Sequence, residues 1–316
     1  MKRCIPALLI FVSLIIVLAA CGDKDTERQP GDPAKALFIT VPDASQRFAL
    51  SEFKRLNDDF DIDVEMFSAN NTPAEIDGIE RAVADGYDVI FINSSNVTAV
   101  IPALTAAKEA GVIIGLFSAG LPEGQPGEDF IDFFCGPDYF LSGMMAGEYI
   151  SSLFIAGANV AEIGGPEGNA MQTQLQNGFY AGLADNIDLL DSQNCTGWSV
   201  EHAYRIMEDF MARFGADLNI VWCHWDDGAN SVIEAALAAG RSDIMVVGVG
   251  GTGVGFRNVR DGLQAMTVGI NYSNIVRRSM QNARTLLDGG AVPMVNIIPM
   301  DLITGDTIDN FHFPDW

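Results

Sequence analysis

Gly248, Gly250 and Gly253 directly follow an apolar strand and have the spacing of a dinucleotide-binding turn. A nicotinamide site needs this turn in the first strand–helix unit of the fold and an acidic residue at the end of the next strand. Here the glycines come late in the chain, and the next predicted strand ends near Ile270. The glycines therefore predict a turn that lines a pocket, and they do not predict a nicotinamide cofactor.

Ser118 lies in the stretch GLFSAG, and His202, His224 and His312 are candidate bases for a hydrolase. A serine nucleophile turn requires glycine two residues before the serine, and Leu116 occupies that position. Carboxylates and histidines do not recur at metal-ligand spacing, and the sequence contains no Cys-x-x-Cys pair. The sequence therefore predicts no catalytic activity, no cofactor and no metal site.

The composition is that of a globular and strongly acidic protein. Of 316 residues, 48% are apolar and 19% are charged, which is enough to bury the core of one large or two ordinary domains. The 42 Asp and Glu residues outnumber the 18 Lys and Arg residues, and the net charge is -24. Nucleic acid is excluded as a partner because its binding requires clustered Lys and Arg, which the sequence lacks. We favour a solvated, self-repelling surface over recognition of a cationic ligand as the reason for the acidity.

The start of the sequence has the pattern of a bacterial export signal. Lys2 and Arg3 precede an apolar run over 5–20, which is short for a membrane-spanning helix. The ending Leu-Ala-Ala-Cys at 18–21 resembles the lipobox of bacterial lipoproteins, which implies cleavage before Cys21 and a lipid on that residue. An uncleaved anchor helix is the alternative.

The leader sets the expected location of the protein. Residues 1–20 are predicted to be a lipoprotein signal peptide, and 21–35, with glycine and proline and few apolar residues, a flexible tether. The body is then extracytoplasmic and attached to a membrane through its lipid. Cys135, Cys195 and Cys223 would lie in an oxidising compartment, where they allow one disulfide and one leftover thiol in three alternative pairings.

The body alternates short apolar strands with amphipathic helices. In the first half, strands are predicted at 36–41, 62–67, 88–93 and 112–117, and helices at 48–60, 73–85 and 97–110. In the second half, strands are predicted at 159–163, near 188, at 219–223, 244–249 and 265–270, and helices at 144–154, 171–184, 202–213, 229–239 and 275–288. This alternation predicts an α/β fold with two doubly wound parallel sheets covered on both faces. Extended segments near 295–302 are more than the second sheet needs, which predicts two lobes that exchange strands. We expect the ligand to bind between these lobes, at the carboxyl ends of the strands.

Several stretches, in order and spacing, carry a resemblance to a known family. They are NNTP at 70–73, GYDVIFINSS at 86–95, AAKEAGVIIGLF at 106–117, GPDYFLSGMMAGEYI at 136–150, Gly178 with Phe179, and SDIMVVGVGGT at 242–252. Over about 36–302 the chain resembles the type I periplasmic binding proteins of sugar uptake, and within them the ribose-binding branch.

The resemblance implies two lobes joined by three crossings, near 136–138, 270–272 and 295–299. It assigns 36–137 with 271–296 to the first lobe and 138–270 with 297–316 to the second. It also implies that the lobes hinge shut on a small ligand and that an ABC permease recognises the closed form. A monomer is expected.

The resemblance implies ligand contacts, and at most charged positions this chain departs from the pattern. The aromatic residue that stacks on the sugar falls at Phe48, after the polar Ser45 and Gln46, and a second ring falls at Trp198. Where the ribose branch has charged or amide contacts, this chain has Ser118 with Ala119, Leu175, Trp225, Gly250, and Ile270 beside Asn271. Nearly every charged sugar contact is therefore absent.

An aromatic pocket with sparse hydrogen bonding is therefore predicted. Its flat faces would come from Phe48, Phe117, Trp198 and Trp225, and its polar groups from Ser45, Ser118, Gln172, His224, Asp226 and Asn271. We expect a ligand with fewer hydroxyls or more apolar surface than a free pentose. Any of these rings could instead be core, and Asp226 or Asp227 could cap the helix that begins near Gly228; we favour the cap for Asp227 and leave Asp226 open.

The predicted function is capture of a small molecule, a sugar, a sugar-like compound or a polyol, for an ABC permease. The alternative is a co-receptor that presents its closed state to a membrane sensor. The two share fold and pocket, and neighbouring genes for a permease or for a sensor kinase would distinguish them.

Overall fold

A computed structural model describes residues 32–118, 120–121 and 127–311 of the chain. The predicted signal peptide, Cys21 and most of the predicted tether lie outside these residues. No helix among the described residues is long and apolar enough to cross a membrane.

The first sheet has six parallel strands in the described residues, in the order β2-β1-β3-β4-β5-β11. The strands are β1 (Ala34–Thr40), β2 (Ile62–Ser68), β3 (Val89–Ile92), β4 (Ile113–Phe117), β5 (Phe133–Gly136) and β11 (Val295–Ile297). The helices packed with them are α1 (Ala44–Arg55), α2 (Asn57–Phe60), α3 (Thr72–Ala84), α4 (Val97–Glu109) and α10 (Tyr272–Leu287). Apolar layers on both faces bury the sheet, which explains why β3, β4 and β5 are apolar runs without alternation, whereas the edge strand β2 alternates buried and exposed residues over its first half.

The second sheet also has six strands in the described residues, in the order β7-β6-β8-β9-β10-β12. The strands are β6 (Ala158–Gly164), β7 (Ile187–Asn194), β8 (Ile220–Cys223), β9 (Met245–Gly250), β10 (Met266–Gly269) and β12 (Asp301–Thr304). Its helices are α5 (Tyr139–Leu153), α6 (Ala170–Gly182), α7 (Val200–Phe214), α8 (Asp226–Ala238) and α9 (Gly253–Arg260), with 3₁₀ turns at Thr196–Trp198, Gly215–Asp217 and Ile308–Asn310. The predicted class, two α/β lobes of mainly parallel strands, is confirmed.

Strand β12 differs from the predicted parallel arrangement, because it pairs antiparallel with β10. The direction follows from the crossing. The chain leaves β11 at the carboxyl edge of the first sheet and starts β12 four residues later, at Asp301. A strand that enters the second sheet from its carboxyl edge must run against the others.

Two elements were not predicted. Strand β5 has only four residues, and α9 starts in a glycine-rich stretch that reads as a turn. β5 completes the first crossing, because α5 begins three residues after β5 ends. α10 follows β10 of the second sheet, but its residues Ile275, Val276 and Met280 are buried in the core around the first sheet.

The three cysteines of the body are free thiols, and all three are buried. None of the alternative pairings forms. Burial raises the pKa of Cys135 and of Cys195 to about 12 and raises that of Cys223 well above its usual value. The described residues contain no group of three or more His, Cys, Asp or Glu side chains that could hold a metal ion.

Candidate functional site

A cavity of about 650 Å³ lies between the two lobes. Its walls come from the segments that follow the carboxyl ends of nearly all the central strands, which is where ligands bind in parallel α/β sheets. Of the predicted contacts, Ser45, Gln46, Ser118, Trp198, His224, Trp225, Asp226 and Gly250 line it. A volume of this size suits a small organic ligand.

On the first-lobe side, the first turn of α1 presents Gln46. Asp43 caps α1, since its Oδ1 accepts from the Gln46 backbone N–H at 2.8 Å and from Ser45 Oγ at 2.7 Å. The buried Gln46 Nε2 donates to Ser45 Oγ at 3.1 Å and to Tyr272 Oη at 3.4 Å. Its Oε1 has no hydrogen-bond partner among the described residues. The first turn of α1 thus holds a buried acceptor in a residue of the cavity wall.

The loop between β3 and α4 is held by a buried carboxylate that the sequence did not reveal. Glu75 accepts from Ser94 Oγ at 2.6 Å and from the backbone N–H and Oγ of Ser95, both at 2.8 Å. Glu75 lies in the first turn of α3, a position that is usually exposed, and the structure buries it completely. These bonds fix the loop that brings both serines to the cavity.

Ser118 follows β4 and has the left-handed φ of 57°. Tyr139, at the start of α5, donates from Oη to the Ser118 carbonyl at 2.7 Å, and its Oη lies 3.1 Å from Ser118 Oγ. The tyrosine therefore ties the first crossing to the cavity wall. The described residues contain three non-glycine residues with positive φ, Asp61, Ser118 and Trp198, and the last two line the cavity. Strained backbone of this kind concentrates at functional sites.

Trp198 and Trp225 form the aromatic part of the second-lobe wall. Their ring centroids lie 5.4 Å apart at an interplanar angle of 81°. The Trp198 ring packs against Gly165, where an added Cβ would lie 2.2 Å from it, and the Trp225 ring packs against Gly228 in the same way at 2.4 Å. Trp225 Nε1 has no hydrogen-bond partner among the described residues.

His224 and Glu162 form a fully buried pair behind this wall. His224 Nε2 lies 2.8 Å from Glu162 Oε1, and both side chains are 0% exposed. Glu162 Oε2 accepts from Tyr180 Oη at 2.6 Å and from Gln176 Nε2 at 3.0 Å. Burial opposes the charge of Glu162, but the bonds from His224, Tyr180 and Gln176 outweigh it and lower the pKa of this carboxyl.

Asp226 lines the cavity, and its carboxylate accepts three hydrogen bonds from neighbouring segments of the second lobe. Oδ1 accepts from Gln264 Nε2 at 2.9 Å, and Oδ2 accepts from the Thr252 N–H at 2.9 Å and from Thr267 Oγ1 at 3.0 Å. These bonds join α8 to β10 and to the turn after β9. Burial raises the pKa of Asp226 despite the three bonds.

The cap predicted for Asp227 is wrong. α8 begins at Asp226, two residues earlier than expected, with Trp225 at the N-cap position and no side chain bonded there. Asp227 is consequently inside the first turn, where its charge still meets the positive end of the helix dipole. Burial and the negative charge of Asp43 on the opposite lobe raise the pKa of Asp227, and Arg257 partly offsets them.

Four of the predicted ligand contacts do not line the cavity. The Phe117 ring is fully buried in the first-lobe core, 5.1 Å from Phe38, and Phe48 packs half-buried against the same core. Gln172 is buried and donates from Nε2 to Asn194 Oδ1 at 3.1 Å. Asn271 caps α10 by accepting from the Asn274 N–H at 3.0 Å. Each side chain has a local packing or capping role that the resemblance alone could not anticipate.

The described lining residues include no Lys or Arg, and they include three aspartates, Asp43, Asp226 and Asp227. Sequence reasoning also missed several polar residues of the wall, among them Asn70, Asn93, Asn169 and Thr252. The signal was present, since each comes within six residues of a strand end. The described wall of the cavity therefore has several polar side chains and no Lys or Arg.

The lobes contact each other directly beside the cavity. Asn169 Nδ2, before α6, donates to the Ser95 carbonyl of the first lobe at 3.1 Å. Gln174 Nε2, on α6, donates to the Leu121 carbonyl at 2.9 Å. These two bonds join the lobes directly in this arrangement.

Comparison with known proteins agrees with this geometry. The family model described as the periplasmic binding protein domain matches residues 40–291. The ribose import binding protein of Escherichia coli (strain K12) is 24% identical over 268 residues, which cover 84% of this chain and 86% of that protein.

Solved structures share the fold. A solute-binding protein of an ABC transporter from Bacillus halodurans C-125 with bound myo-inositol has a TM-score of 0.82 at 20% identity, covering 89% of this chain and 98% of that one. The fructose-binding periplasmic domain of a hybrid two-component system has a TM-score of 0.80 at 20% identity, and the match covers 88% of this chain and 92% of that domain. The family model matches most of the chain, and the structure has two lobes with a cavity between them. The chain therefore belongs to the type I periplasmic binding protein family.

Proposed function

We propose that this protein is an extracytoplasmic binding lipoprotein that captures a small neutral sugar-like compound or polyol between its lobes and delivers it to an ABC permease. The observation that carries the proposal is the cavity between the lobes, with two indole rings and a few buried polar atoms in its wall. Such a wall suits a ring or chain with an apolar face and a limited number of hydroxyls. Binding alone is proposed, without catalysis.

The charge of the wall narrows the class of ligand. Three aspartates and no Lys or Arg among the described lining residues give a negative potential, which disfavours carboxylates and phosphates. Uronic acids and sugar phosphates should therefore bind far more weakly than their neutral parent sugars. The departure from the charged contacts of the ribose branch supports a ligand with more apolar surface than a free pentose.

We also propose the remaining features implied by the resemblance. The lobes are 36–137 with 271–296 and 138–270 with 297–316, the protein is a monomer, and the lipid is on Cys21. The permease would recognise the closed arrangement, in which ligand contacts from both lobes shift the population.

A second function has one specific observation in its favour. A periplasmic domain with the same fold belongs to a hybrid two-component system. In that alternative the closed form acts on a membrane sensor, and the cavity has the same ligand.

A ligand panel tests the proposal. The chain from Gly22 onward is heated with 6-deoxyhexoses, methyl and phenyl glycosides, myo-inositol and xylitol, and hits are measured by calorimetry. A compound present at 100 times its Kd raises the free energy of unfolding by about 2.7 kcal/mol. Galactose with galacturonate, and ribose with ribose 5-phosphate, serve as pairs of closely related sugars in which one member is neutral and the other is an anion.

The outcomes separate the claims. Stabilisation by neutral glycosides or polyols, lost in Trp198→Ala and kept in the control Phe140→Ala on the outer surface, supports the proposal. Micromolar binding of free ribose or galactose contradicts the expected apolar preference, and tight binding of an anionic member of a pair contradicts the charge argument. A response to none of the sugars or polyols refutes the proposed ligand class.

A further inference from the structure

The buried pair of His224 and Glu162 is not explained by the fold alone. Ionisable side chains are rarely buried completely, and a strand position inside a parallel sheet is ordinarily apolar. Glu162 lies in β6 with buried neighbours on both sides, and His224 directly follows β8, the adjacent strand. An apolar residue in place of Glu162 would avoid the cost of burying a carboxylate.

The geometry of the pair fixes which nitrogen of His224 carries a proton. An ionised carboxylate only accepts, so the 2.8 Å contact requires a proton on His224 Nε2. Glu162 receives two further hydrogen bonds, from Tyr180 and Gln176, which satisfy its charge without a second buried charge on the imidazole. A neutral ring with its proton on Nε2 has an unprotonated Nδ1, which is an acceptor.

Nδ1 is left without a partner although it is buried. His224 lines the cavity, and Nδ1 makes no hydrogen bond with any described residue. The ring cannot turn freely to find one, because Trp222 packs on it at a centroid distance of 4.2 Å and Glu162 holds Nε2. A buried polar atom without a partner is costly unless something else binds it.

We propose that Glu162 is a positioning residue that fixes His224 so that Nδ1 accepts a hydrogen bond from a ligand hydroxyl. The inference rests on the proposed function and names its specificity determinant on the second lobe. The arrangement selects a ligand with a donor at this point and rejects deoxy or ether analogues there, because they would leave Nδ1 unpaired. Gln46 Oε1 is the corresponding unpartnered acceptor on the first lobe, so the ligand is expected to donate to both lobes.

The test reads the tautomer directly by NMR. The sequence has three histidines, so in the ¹⁵N-histidine-labelled chain the variants His202→Gln and His312→Gln assign the signals of His224. We expect a protonated Nε2 and an unprotonated Nδ1 in the wild type at neutral pH. In Glu162→Gln, the amide can either accept from or donate to Nε2, so the second tautomer should become populated.

Ligand binding supplies the second measurement, with myo-inositol and methyl β-D-glucoside as probes. On titration with a probe that binds, the Nδ1 signal should move as it accepts a hydrogen bond while the Nε2 signal stays nearly constant. Glu162→Gln should weaken binding about tenfold, and Glu162→Asp should recover part of the loss. Tyr180→Phe removes one bond to Glu162 but keeps the pair, and it should change affinity by no more than about twofold.

The outcomes are distinct. A wild-type His224 that is protonated on Nδ1, or an Nδ1 signal that stays constant while calorimetry detects binding, overturns the positioning role and leaves the proposed function standing. A Glu162→Gln variant that loses thermal stability but keeps the wild-type tautomer and affinity assigns the pair a purely structural role, which also overturns it. If no probe and no sugar of the panel binds, the proposed function fails, and the ligand contact fails with it.

Discussion

The close packing of α5 against α6 predicts whether a methyl group added between the two helices raises or lowers the free energy of unfolding. A Cβ added at Gly178 would lie 1.9 Å from the Phe140 carbonyl oxygen and 3.0 Å from the Met144 nitrogen. Gly143, on the opposite helix, has the reciprocal position, 2.0 Å from the Leu175 carbonyl oxygen. The obstructing atoms are backbone, so no side-chain rotation can make room. The helices must separate if either glycine gains a methyl group.

Two effects of Gly178→Ala oppose each other. Alanine favours a helix over glycine by about 1 kcal/mol, so propensity alone predicts stabilisation. An ordinary contact of 3.4 Å instead of 1.9 Å requires a local shift of about 1.5 Å, and forced overpacking of this kind costs about 1–3 kcal/mol or more. Since relief must come from moving whole helices, we expect the upper part of that range. The net result is a loss of about 1–2 kcal/mol, which lowers Tm by about 2–8 °C.

The same variant tests whether this packing positions the cavity wall. The residues Asn169, Ala170 and Met171 at the start of α6 line the cavity, so a displaced α6 should also weaken ligand binding several-fold. Thermal unfolding and calorimetry are measured beside Asn177→Ala, an exposed position on the same helix where only propensity acts. Asn177→Ala should be neutral or slightly stabilising. A Gly178→Ala protein with raised Tm and unchanged affinity would refute the close approach of the two helices.

Three further outcomes follow from the site. Trp198→Ala should weaken ligand binding by about 1–3 kcal/mol in calorimetry and leave Tm nearly unchanged, because this ring lines the cavity. Phe48→Ala should mainly lower Tm, because this ring packs on the core. The opposite result would show that Phe48 contacts the ligand and that Trp198 belongs to the core. Glu75→Gln should lower affinity several-fold by loosening the loop at Ser94, and unchanged affinity would show that the loop holds its shape without the carboxylate. Burial raises the folded-state pKa of Asp226 above its usual 3.8. As pH rises from about 4, the folded protein therefore keeps a proton on this group more often than the unfolded chain does. The free energy of unfolding should fall over that pH range. Denaturation from pH 4 to 7 should show a flatter slope in Asp226→Asn, and equal slopes would contradict the assignment.

The sequence predicted the lobes well because their strands are wholly apolar and separated by amphipathic helices. β3, β4, β8 and β9 lie within one or two residues of their predicted limits. The short β5 and the glycine-rich α9 escaped, since four residues show no period and glycine weakens a helical pattern. The direction of β12 depends on which edge of the second sheet the chain enters, and local pattern carries no information on that.

The candidate site was predicted unevenly for a related reason. Positions at the end of a strand or directly after it, such as Ser118, His224 and Gly250, fall at the cavity because topology alone brings strand ends together. Phe117, one residue before Ser118, points away, since successive side chains of a strand face opposite sides. The supporting acids Glu75 and Glu162 could not be found, because a lone acid in a helix or strand is indistinguishable from an exposed one until its partners are in place.

Four acids at or behind the cavity wall, three of them buried, share one arrangement in which their oxygens accept hydrogen bonds from the protein itself. Asp43, Glu75, Glu162 and Asp226 each use their oxygens on neighbouring loops, serines or a histidine. Gln46 Oε1, His224 Nδ1 and Trp225 Nε1 are buried polar atoms of lining residues that have no hydrogen-bond partner among the described residues. We expect the field of these acids to disfavour anions and the three unpartnered atoms to take part in recognising the ligand. Neutral recognition of this kind would replace the charged sugar contacts that the resemblance to the ribose branch implies and that this chain lacks.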